Sequence, residues 1–339
     1  MEVKRRTARS LVQRLSSSSA GSATAAEALA EIRRLSKHDP EIRALLADAG
    51  AVPLLVTRLL DHPHHQENYD DAAAESQENA AAALLNLSIS AREAVMSTPG
   101  ILDALASALR LPSHGGAVAQ HAAMTVYSLL SIDAYRPIIG SKRSLVAALV
   151  DLLRAPDAPT RSIKDALKAL FGVALYPLNR AAVVELGAVP PLFALVVKDG
   201  RTGVVEDATA VISQVAGCYE SVEAFRRVAG VAILVELVDA ATGASGRTRE
   251  NAAAALLNLV MSGGDKAVGD VMEVEGAEAA VRELASDDAG VSARGKSKAE
   301  ALLRVLQSQR QGLGNSETGI DSSGTQTLHY SSSYSNSIS

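Results

Sequence analysis

The stretch GVSARGKS, residues 290–297, has the residue types and the spacing of a phosphate-binding loop. In such a loop, glycines turn backbone N–H groups toward phosphates, the lysine reaches the terminal phosphates, and the serine hydroxyl ligates Mg²⁺. The fixed positions of the pattern fall on Gly290, Gly295, Lys296 and Ser297. A working loop must follow a buried strand of an α/β sheet, so the surrounding elements decide whether the pattern carries nucleotide chemistry.

Two other groups of residues could do chemistry. Cys218 is the only cysteine, and a lone cysteine in a helical protein is more often a small packing residue than a nucleophile. The segment DHPHHQENYDDAAAESQ, residues 61–77, holds His62, His64 and His65, which could bind a metal. No cysteine or well-spaced fourth ligand accompanies them, so a solvated surface loop is the favoured interpretation. We therefore expect no catalytic residue, no metal and no cofactor.

Composition indicates an all-α protein. Apolar residues make up 47% of the 339 residues, Trp is absent, and Ala and Leu, both strong helix formers, dominate. The net charge of −5 argues against a nucleic-acid binder, which usually shows a basic face. No stretch approaches 18 uninterrupted apolar residues, and the N-terminus lacks an apolar signal core. We therefore expect no membrane insertion and a cytoplasmic or nuclear location.

An internal repeat organises the chain. ENAAAALLNLS begins at Glu78 and ENAAAALLNLV at Glu250, 172 residues apart, which is four periods of 43. Related segments lie at the intermediate positions, and two more extend the series outward. With Asn79 as the anchor, seven copies place these residues in register: Glu27, Asn79, His121, Asp165, Asp207, Asn251 and Ser297.

Each repeat is predicted to contain a short, a medium and a long helix. A medium helix with apolar residues at helical spacing precedes each anchor, as in GAVPLLV from Gly50. A short amphipathic segment with a basic residue, such as Arg43 or Arg180, comes before it. A period in the low forties with up to three helices is the armadillo pattern. The first unit lacks its short helix.

We therefore predict an armadillo-repeat right-handed α-solenoid over residues 1–310, with six full repeats and one partial N-terminal repeat. Residues 311–339 are rich in Ser and Thr with few core-forming side chains, so they are predicted to be a disordered tail. In this register GVSARGKS is the turn before the last long helix, and GASGRTREN fills the same slot one repeat earlier. The phosphate-loop pattern is therefore interpreted as a chance match, and a nucleotide hydrolase is not expected.

Several strings resemble the armadillo domain at the C-terminal end of plant U-box ubiquitin ligases, across roughly residues 4–310. They are GAVPLLV, ENAAAALLNLS, SARGKSKAEALL and RVLQSQRQG. Those ligases carry a U-box ahead of the repeats, whereas this sequence starts almost directly in the first repeat, so ligase activity is not expected of it. The resemblance implies a non-catalytic scaffold, expected to be monomeric, that recruits proteins: ubiquitination substrates, receptor kinases or a U-box subunit acting in trans.

The long third helices are expected to line a concave groove that binds partners. Helical neighbours recur at three and four residues, so positions three and seven after the anchor share one face with it. The predicted contact residues are Arg34, Asn86, Ser128, Lys168, Gln214, Asn258 and Arg304. Acidic residues such as Asp165 and Asp207 lie among them. This mixture of charges favours a partner that is recognised through hydrogen bonds and shape.

An importin-α-like nuclear transport adaptor is the alternative function. Adaptors of that type hold basic nuclear signals with a regular Asn ladder and Trp partners. Here only Asn86 and Asn258 keep the Asn, and Trp is absent, so this alternative is the less favoured one. For these two Asn, hydrogen bonding within the repeats and contact with a partner are both open.

Overall fold

A computed structural model describes five ranges of the chain: 1–17, 22–60, 71–111, 116–286 and 290–317. Within these ranges the regular structure consists of α-helices and two short 3₁₀ turns, with no strand. The predicted all-α class is confirmed. The helices follow one another as short, medium and long members of successive repeats, in the order that the sequence period predicts.

The helices fall into three sets according to their place in a repeat. The first helices are α3 (Pro40–Asp48), α6 (Arg92–Met96), α9 (Tyr135–Ser141), α12 (Arg180–Glu185), α15 (Glu220–Arg226) and the end of α17. The second helices are α1 (Glu2–Ser17), α4 (Ala51–Leu60), α7 (Ile101–Ala108), α10 (Arg143–Arg154), α13 (Val189–Lys198), α16 (Gly230–Val238) and α18 (Ala277–Leu284). The third helices are α2 (Ala23–His38), α5 (Asp71–Ser90), α8 (Ala117–Leu129), α11 (Thr160–Ala174), α14 (Thr202–Val215), the start of α17 (Gly246–Met272) and α19 (Ala293–Glu317).

Helix α17 contains two elements that meet at Gly264. This residue has φ 58° and ψ −148°, a conformation essentially open only to glycine, so the helical path breaks there. The part before Gly264 is the third helix of the sixth repeat, and the part after it is the first helix of the seventh. The chain therefore forms six full repeats and one partial repeat that lacks a first helix, as predicted.

Stacking of like helices produces two layers around one core. Each third helix packs on the third helix of the next repeat, from α2 through to α19, and the second helices α4, α7, α10 and α13 stack in the same way. The buried side chains are mostly Ala, Leu and Val, and they form one contiguous cluster along the described chain. Because no repeat can bury its apolar faces alone, this shared core is the source of the solenoid's stability.

The turn into the second helix explains the glycine that leads the second motif. Gly50, Gly100, Gly187 and Gly276 have φ between 78° and 89°, the left-handed region that glycine enters without steric cost. In the sixth repeat Ala229 fills this position with φ 52°, and it is the one non-glycine residue with positive φ in the described ranges. A side chain in this region costs about 1–2 kcal/mol, so the turn at Ala229 is strained.

The basic residues of the first helices cap the preceding third helices. The Nε atom of Arg43 donates to the carbonyl oxygen of Ser36 at 2.7 Å, and that of Arg180 donates to Ala174 at 3.0 Å. Arg136 makes the same kind of bond. A guanidinium at a helix C-terminus satisfies free carbonyl groups and complements the helix dipole. The recurring basic residue is therefore part of the repeat structure.

The ends of the long elements differ from the predicted boundaries. Helix α19 continues to Glu317, beyond the predicted end of the repeat domain at 310. Residues 318–339 lie outside the described ranges, so the disordered tail stays a prediction. Helix α5 begins at Asp71, so the last part of the segment 61–77, predicted to be a surface loop, is helical instead.

The described part of the chain bears on metal binding and on membrane insertion. No group of three or more His, Cys, Asp or Glu side chains in the described ranges is placed to hold a metal ion. The candidate metal residues His62, His64 and His65 lie outside those ranges. No single described helix is long and apolar enough to cross a membrane. The helices Thr160–Ala174 and Pro177–Glu185 reach the length and apolar composition of a membrane span only when they are taken together, and the chain bends by 117° between them.

Candidate partner-binding surface

The phosphate-loop pattern forms the N-cap of helix α19. The Oγ atom of Ser292 accepts a hydrogen bond from the backbone N–H of Gly295 at 3.2 Å. The carboxylate of Glu250, from the preceding third helix, accepts from the N–H of Ser292 at 2.6 Å and from its hydroxyl at 2.7 Å. The preceding secondary structure is α18, a helix where a phosphate loop needs a strand. The carboxylate of Glu250, an anion of the protein itself, therefore accepts a hydrogen bond from a backbone N–H of this turn.

The same arrangement occurs one repeat earlier. Ser245 caps α17 by accepting from the N–H of Thr248 at 3.2 Å, and its hydroxyl donates to Glu206 at 2.8 Å. Gly295 has its own structural reason, because a Cβ at that position would lie 2.3 Å from the Cγ of Glu250. These contacts explain the serine and the second glycine of the turn by helix capping and packing, which supports the chance-match interpretation.

Cys218 lies half-buried at the start of the sixth repeat. Its Sγ atom donates to the carbonyl oxygen of Val215 at 3.3 Å. Burial raises the pKa of the Cys218 thiol to about 11, so the thiol form prevails at neutral pH. Since the thiolate is the nucleophilic form, this environment favours a packing role over a catalytic one.

The two Asn of the predicted ladder donate hydrogen bonds to the preceding third helix. The Nδ2 atom of Asn86 donates to the hydroxyl of Ser36 at 3.1 Å, and that of Asn258 donates to the carbonyl oxygen of Ser213 at 2.7 Å. Both contacts join consecutive repeats near the C-terminal ends of their third helices. Hydrogen bonding between repeats is therefore one role of these Asn, and contact with a partner stays a prediction.

Other ladder positions also contact neighbouring repeats. The hydroxyl of Ser128 donates to the carbonyl oxygen of Ser88, in the preceding repeat, at 3.0 Å. The Oε1 atom of Gln214 instead accepts from Arg180, in the first helix of its own repeat, at 3.3 Å. A Cβ at Gly172 would lie 3.1 Å from the Leu130 side chain, so the glycine permits close helix packing there. The seventh position after the anchor thus lies where third helices meet.

The charged members of the predicted contact set are more accessible. Arg34 is exposed and pairs with Glu31 of its own helix at 2.6 Å, and Arg304 is exposed on α19. The ammonium group of Lys168 lies 3.0 Å from the carboxylate of Asp165, which is 5% exposed. Arg34 and Lys168 are thus paired with carboxylates, and all three cations lie on the surface formed by the third helices, which we call the third-helix surface.

The third helices of the first four repeats enclose a depression in this surface. It consists of two adjoining cavities of about 300 and 290 Å³ that share Leu85, Gln120, His121 and Arg161. The first cavity is completed by Arg33, Lys37, Ala82 and Asn86. The second is completed by Met124, Lys164, Asp165 and Lys168. We call this feature the basic depression. Its residues come from α2, α5, α8 and α11, so stacking of four repeats is needed to form it.

The charges of the basic depression are only partly balanced. Three of its five basic side chains pair with carboxylates: Arg33 with Glu78 at 3.0 Å, Lys164 with Asp207 at 3.5 Å and Lys168 with Asp165 at 3.0 Å. Lys37 and Arg161 make no ion pair or side-chain hydrogen bond with any described residue. The acidic residues Asp165 and Asp207, which the sequence places among the basic positions, are therefore engaged in ion pairs, and two cations keep no carboxylate partner in the described chain.

His121 lies at the centre of the basic depression. Its Nδ1 atom is buried and has no hydrogen-bond partner among the described residues. Burial, followed by the charge of Arg33, lowers the pKa of the imidazole below its usual value, against a smaller opposing effect of Glu78. The neutral imidazole therefore prevails at pH 7, with an unused polar atom beside the cavities.

The predicted contact set omitted several residues that form the depression. Lys37, Gln120, Arg161 and Lys164 were not among the ladder positions, since side chains on different repeats converge here only after stacking. One signal was present: Arg161 is a basic residue at the start of a long helix, in PDAPTRSIKD. His121 was placed in register as an anchor but was not identified as a cavity residue.

Fold and surface together define a class of protein: an armadillo-type α-solenoid, a scaffold fold typical of protein–protein interaction. The chain belongs to the family described as "Plant U-box protein ARM repeat region", whose model matches residues 8–320.

Comparisons with individual proteins agree with this assignment. The chain is 32% identical over 281 residues to U-box domain-containing protein 16 of Arabidopsis thaliana, covering 82% of this chain and 38% of that protein. It is 28% identical to U-box domain-containing protein 4 of Oryza sativa subsp. japonica, covering 98% of this chain and 44% of that protein. The chain therefore spans less than half the length of these two relatives.

Solved structures support the fold. A designed armadillo repeat protein matches 88% of this chain and 99% of its own, with a TM-score of 0.50 and 23% identity. An engineered protein of known crystal structure matches 91% of this chain and 82% of its own, with a TM-score of 0.61 and 22% identity. At this level of identity the likeness establishes the armadillo solenoid fold alone.

Proposed function

We propose that this chain is a non-catalytic scaffold that binds an extended segment of a partner protein along the third-helix surface, in ubiquitin-linked signalling. Candidate partners are ubiquitination substrates, receptor kinases and a U-box subunit acting in trans. The observation that carries the proposal is the unbroken stack of third helices from α2 to α19, which presents polar side chains from seven repeats on one continuous surface.

The link to ubiquitin rests on the relatives. They are U-box domain-containing proteins, and this chain matches their armadillo-repeat region. A repeat solenoid offers a broad surface for extended partners and needs no reacting group for that role. The half-buried thiol of Cys218, with its raised pKa, fits a chain segment whose task is binding. We place the protein in the cytoplasm, the nucleus or both.

A nuclear transport adaptor is the second candidate function, and charge disfavours it. A nuclear signal is a cluster of Lys and Arg. The basic depression already carries five cations, of which Lys37 and Arg161 have no carboxylate partner in the described chain. Like charges in a partly buried site repel, so a basic signal would be held weakly there.

Affinity capture from plant extract, followed by covalent footprinting of the purified complex, tests the proposal. Bound partner should protect Lys168 and Arg304 on the third helices from modification. Lys198 and Arg143, on the second helices α13 and α10, serve as matched positions that should stay reactive. Recovery of a U-box ligase or a membrane kinase is expected, and recovery of importin-β would favour the adaptor. Protection confined to the second helices would refute binding at the third-helix surface.

The double variant Asn86→Ala with Asn258→Ala separates the two roles of the ladder. Each Asn donates a hydrogen bond to the preceding repeat, so each substitution should lower the free energy of unfolding by about 1 kcal/mol. Partner affinity is measured in parallel on the folded variant. Unchanged affinity with reduced stability assigns both Asn to repeat packing, whereas an affinity loss of about ten-fold or more assigns them to the partner site as well.

A further inference from the structure

The basic depression brings several positive charges together on the third-helix surface. The basic depression, between α2 and α11, is lined by five basic side chains and one carboxylate. The whole chain has a net charge of −5, so this depression is a local exception. A positive site with low-dielectric walls attracts anionic ligands and speeds their association.

The depression also collects polar groups that the described protein leaves without partners. Within the described ranges, Lys37 and Arg161 line the same cavity without a carboxylate partner, and Gln120 beside them makes no hydrogen bond through its side chain. The buried Nδ1 atom of His121 has no hydrogen-bond partner among the described residues either. These groups offer charged donors and an amide at one place. An arginine can bind a carboxylate through two parallel hydrogen bonds, and charged hydrogen bonds of this kind are the strong ones.

We propose that the basic depression binds an extended, acidic peptide segment of a partner protein, with Arg161 and Lys37 contacting its carboxylates. Gln120 pairs with the peptide backbone, because an amide side chain can both donate and accept. This inference rests on the proposed function and specifies the chemistry of the segment bound. Three of the basic side chains are already neutralised by Glu78, Asp207 and Asp165, so the two free cations select for acidic side chains.

The dimensions of the depression set the length of the segment. Packed helices lie about 8–10 Å apart, so a path from α2 across α5 and α8 to α11 is roughly 25–30 Å. An extended chain advances about 3.3–3.6 Å per residue, so about eight residues span this path. Alternate side chains of an extended peptide project to the same side. Acidic residues at alternate positions therefore suit the depression.

Fluorescence anisotropy with a labelled octapeptide tests this inference. The probe alternates Glu and Ser, and two control peptides carry Gln or Lys in place of Glu. The Glu peptide should bind saturably, with affinity that falls as salt rises, because part of the attraction is screened. The Gln and Lys peptides should show no saturable binding over the same concentrations. A Gln peptide that binds as tightly as the Glu peptide would overturn the inference.

Charge-reversal variants locate the binding. Lys37→Glu with Arg161→Glu should raise the Kd of the Glu peptide about ten-fold or more. The matched control is Arg9→Glu with Lys198→Glu, which makes the same change in net charge at exposed positions on the second helices α1 and α13. The control should change the Kd by no more than about two-fold. An equal effect of both double variants would show non-specific attraction and refute the assignment.

Two further measurements keep the outcomes separate. Urea midpoints of both double variants should match the wild type, since neither pair of residues has a described partner to lose. A peptide with phosphoserine that binds where the Glu peptide does not would overturn the choice of carboxylates. Footprints of a natural partner on the third helices, together with no binding of the Glu peptide, would refute this inference while leaving the proposed function intact.

Discussion

The carboxylate of Glu250 accepts two hydrogen bonds from Ser292, one from its backbone N–H at 2.6 Å and one from its hydroxyl at 2.7 Å. The two residues are 42 positions apart and belong to consecutive repeats. Through this contact a third helix orients the N-cap of the next one. The contact between Glu206 and Ser245 is its counterpart one repeat earlier.

Glu250→Gln should loosen the start of helix α19. The substitution removes the negative charge of the carboxylate that accepts hydrogen bonds from Ser292. Loss of a cap contact lowers the stability of a helix by about 1 kcal/mol. Hydrogen exchange of the first turns of α19 should become faster, with little change in α2 or α5. Glu300→Gln, on the exposed side of the same helix, is the matched control. Unchanged exchange in the Glu250 variant would show that the contact does not stabilise the cap.

Nucleotide should not bind at GVSARGKS. The turn follows a helix, and Glu250 already occupies the N–H group of Ser292. A phosphate there would also meet the negative charge of that carboxylate. Calorimetry with ATP or GTP plus Mg²⁺ should show no saturable heat. Saturable binding that Lys296→Ala abolishes would contradict both the capping role and the chance-match interpretation.

Ala229→Gly should stabilise the sixth repeat. Ala229 has φ 52°, and glycine relieves the cost of a left-handed conformation, so the expected gain is about 1 kcal/mol. Gly230→Ala is the opposing variant, because a Cβ at Gly230 would lie 2.7 Å from the ring of Phe193. The urea midpoint should rise in the first variant and fall in the second. A fall in both would show that the turn at Ala229 is not strained.

Stability should decrease in mildly acidic solution because of His121. Burial lowers its pKa in the folded state below the ordinary value of 6.5, while Arg33 and Arg161 lower it and Glu78 and Asp165 raise it. As pH falls through 6.5, the unfolded chain binds a proton that the folded chain resists, so the free energy of unfolding falls. Above pH 6.5 the contribution of His121 to the free energy of unfolding is fully present.

Paired urea titrations between pH 5 and pH 7.5 measure this effect. His121→Gln keeps polar atoms at the site but cannot titrate, so its stability should vary less with pH than that of the wild type. His38→Gln changes an exposed histidine and should leave the wild-type pH dependence in place. Equal pH dependence in the wild type and the His121 variant would contradict the role of burial.

Cys218 should react slowly with thiol reagents in the folded protein. A pKa of about 11 instead of 9.0 makes the thiolate fraction at pH 8 about a hundred-fold smaller. Ellman's reagent should therefore modify the native protein far more slowly than the urea-unfolded chain. Because this is the only cysteine, the signal has one source. Rapid modification of the native protein would show an activated thiolate and reopen the question of catalysis.

The sequence alone determined the repeat architecture. Copies of one motif at a spacing near 43 residues, each with apolar side chains at helical intervals, predicted the order of short, medium and long helices. The glycine before several of the second helices and the basic residue of several first helices were visible in the same way. Such features repeat along the chain because each depends on contacts within a repeat or with the next one.

Tertiary structure decided which side chains form the basic depression. Lys37 and Arg161 are 124 residues apart in sequence and line one cavity only because three further third helices stack on α2. Pairing across helices, as between Lys164 and Asp207, decided which charges remain free. Sequence spacing gives the face of a helix on which a residue lies. It does not give the neighbour that a long, flexible side chain reaches, since that depends on how separate helices pack.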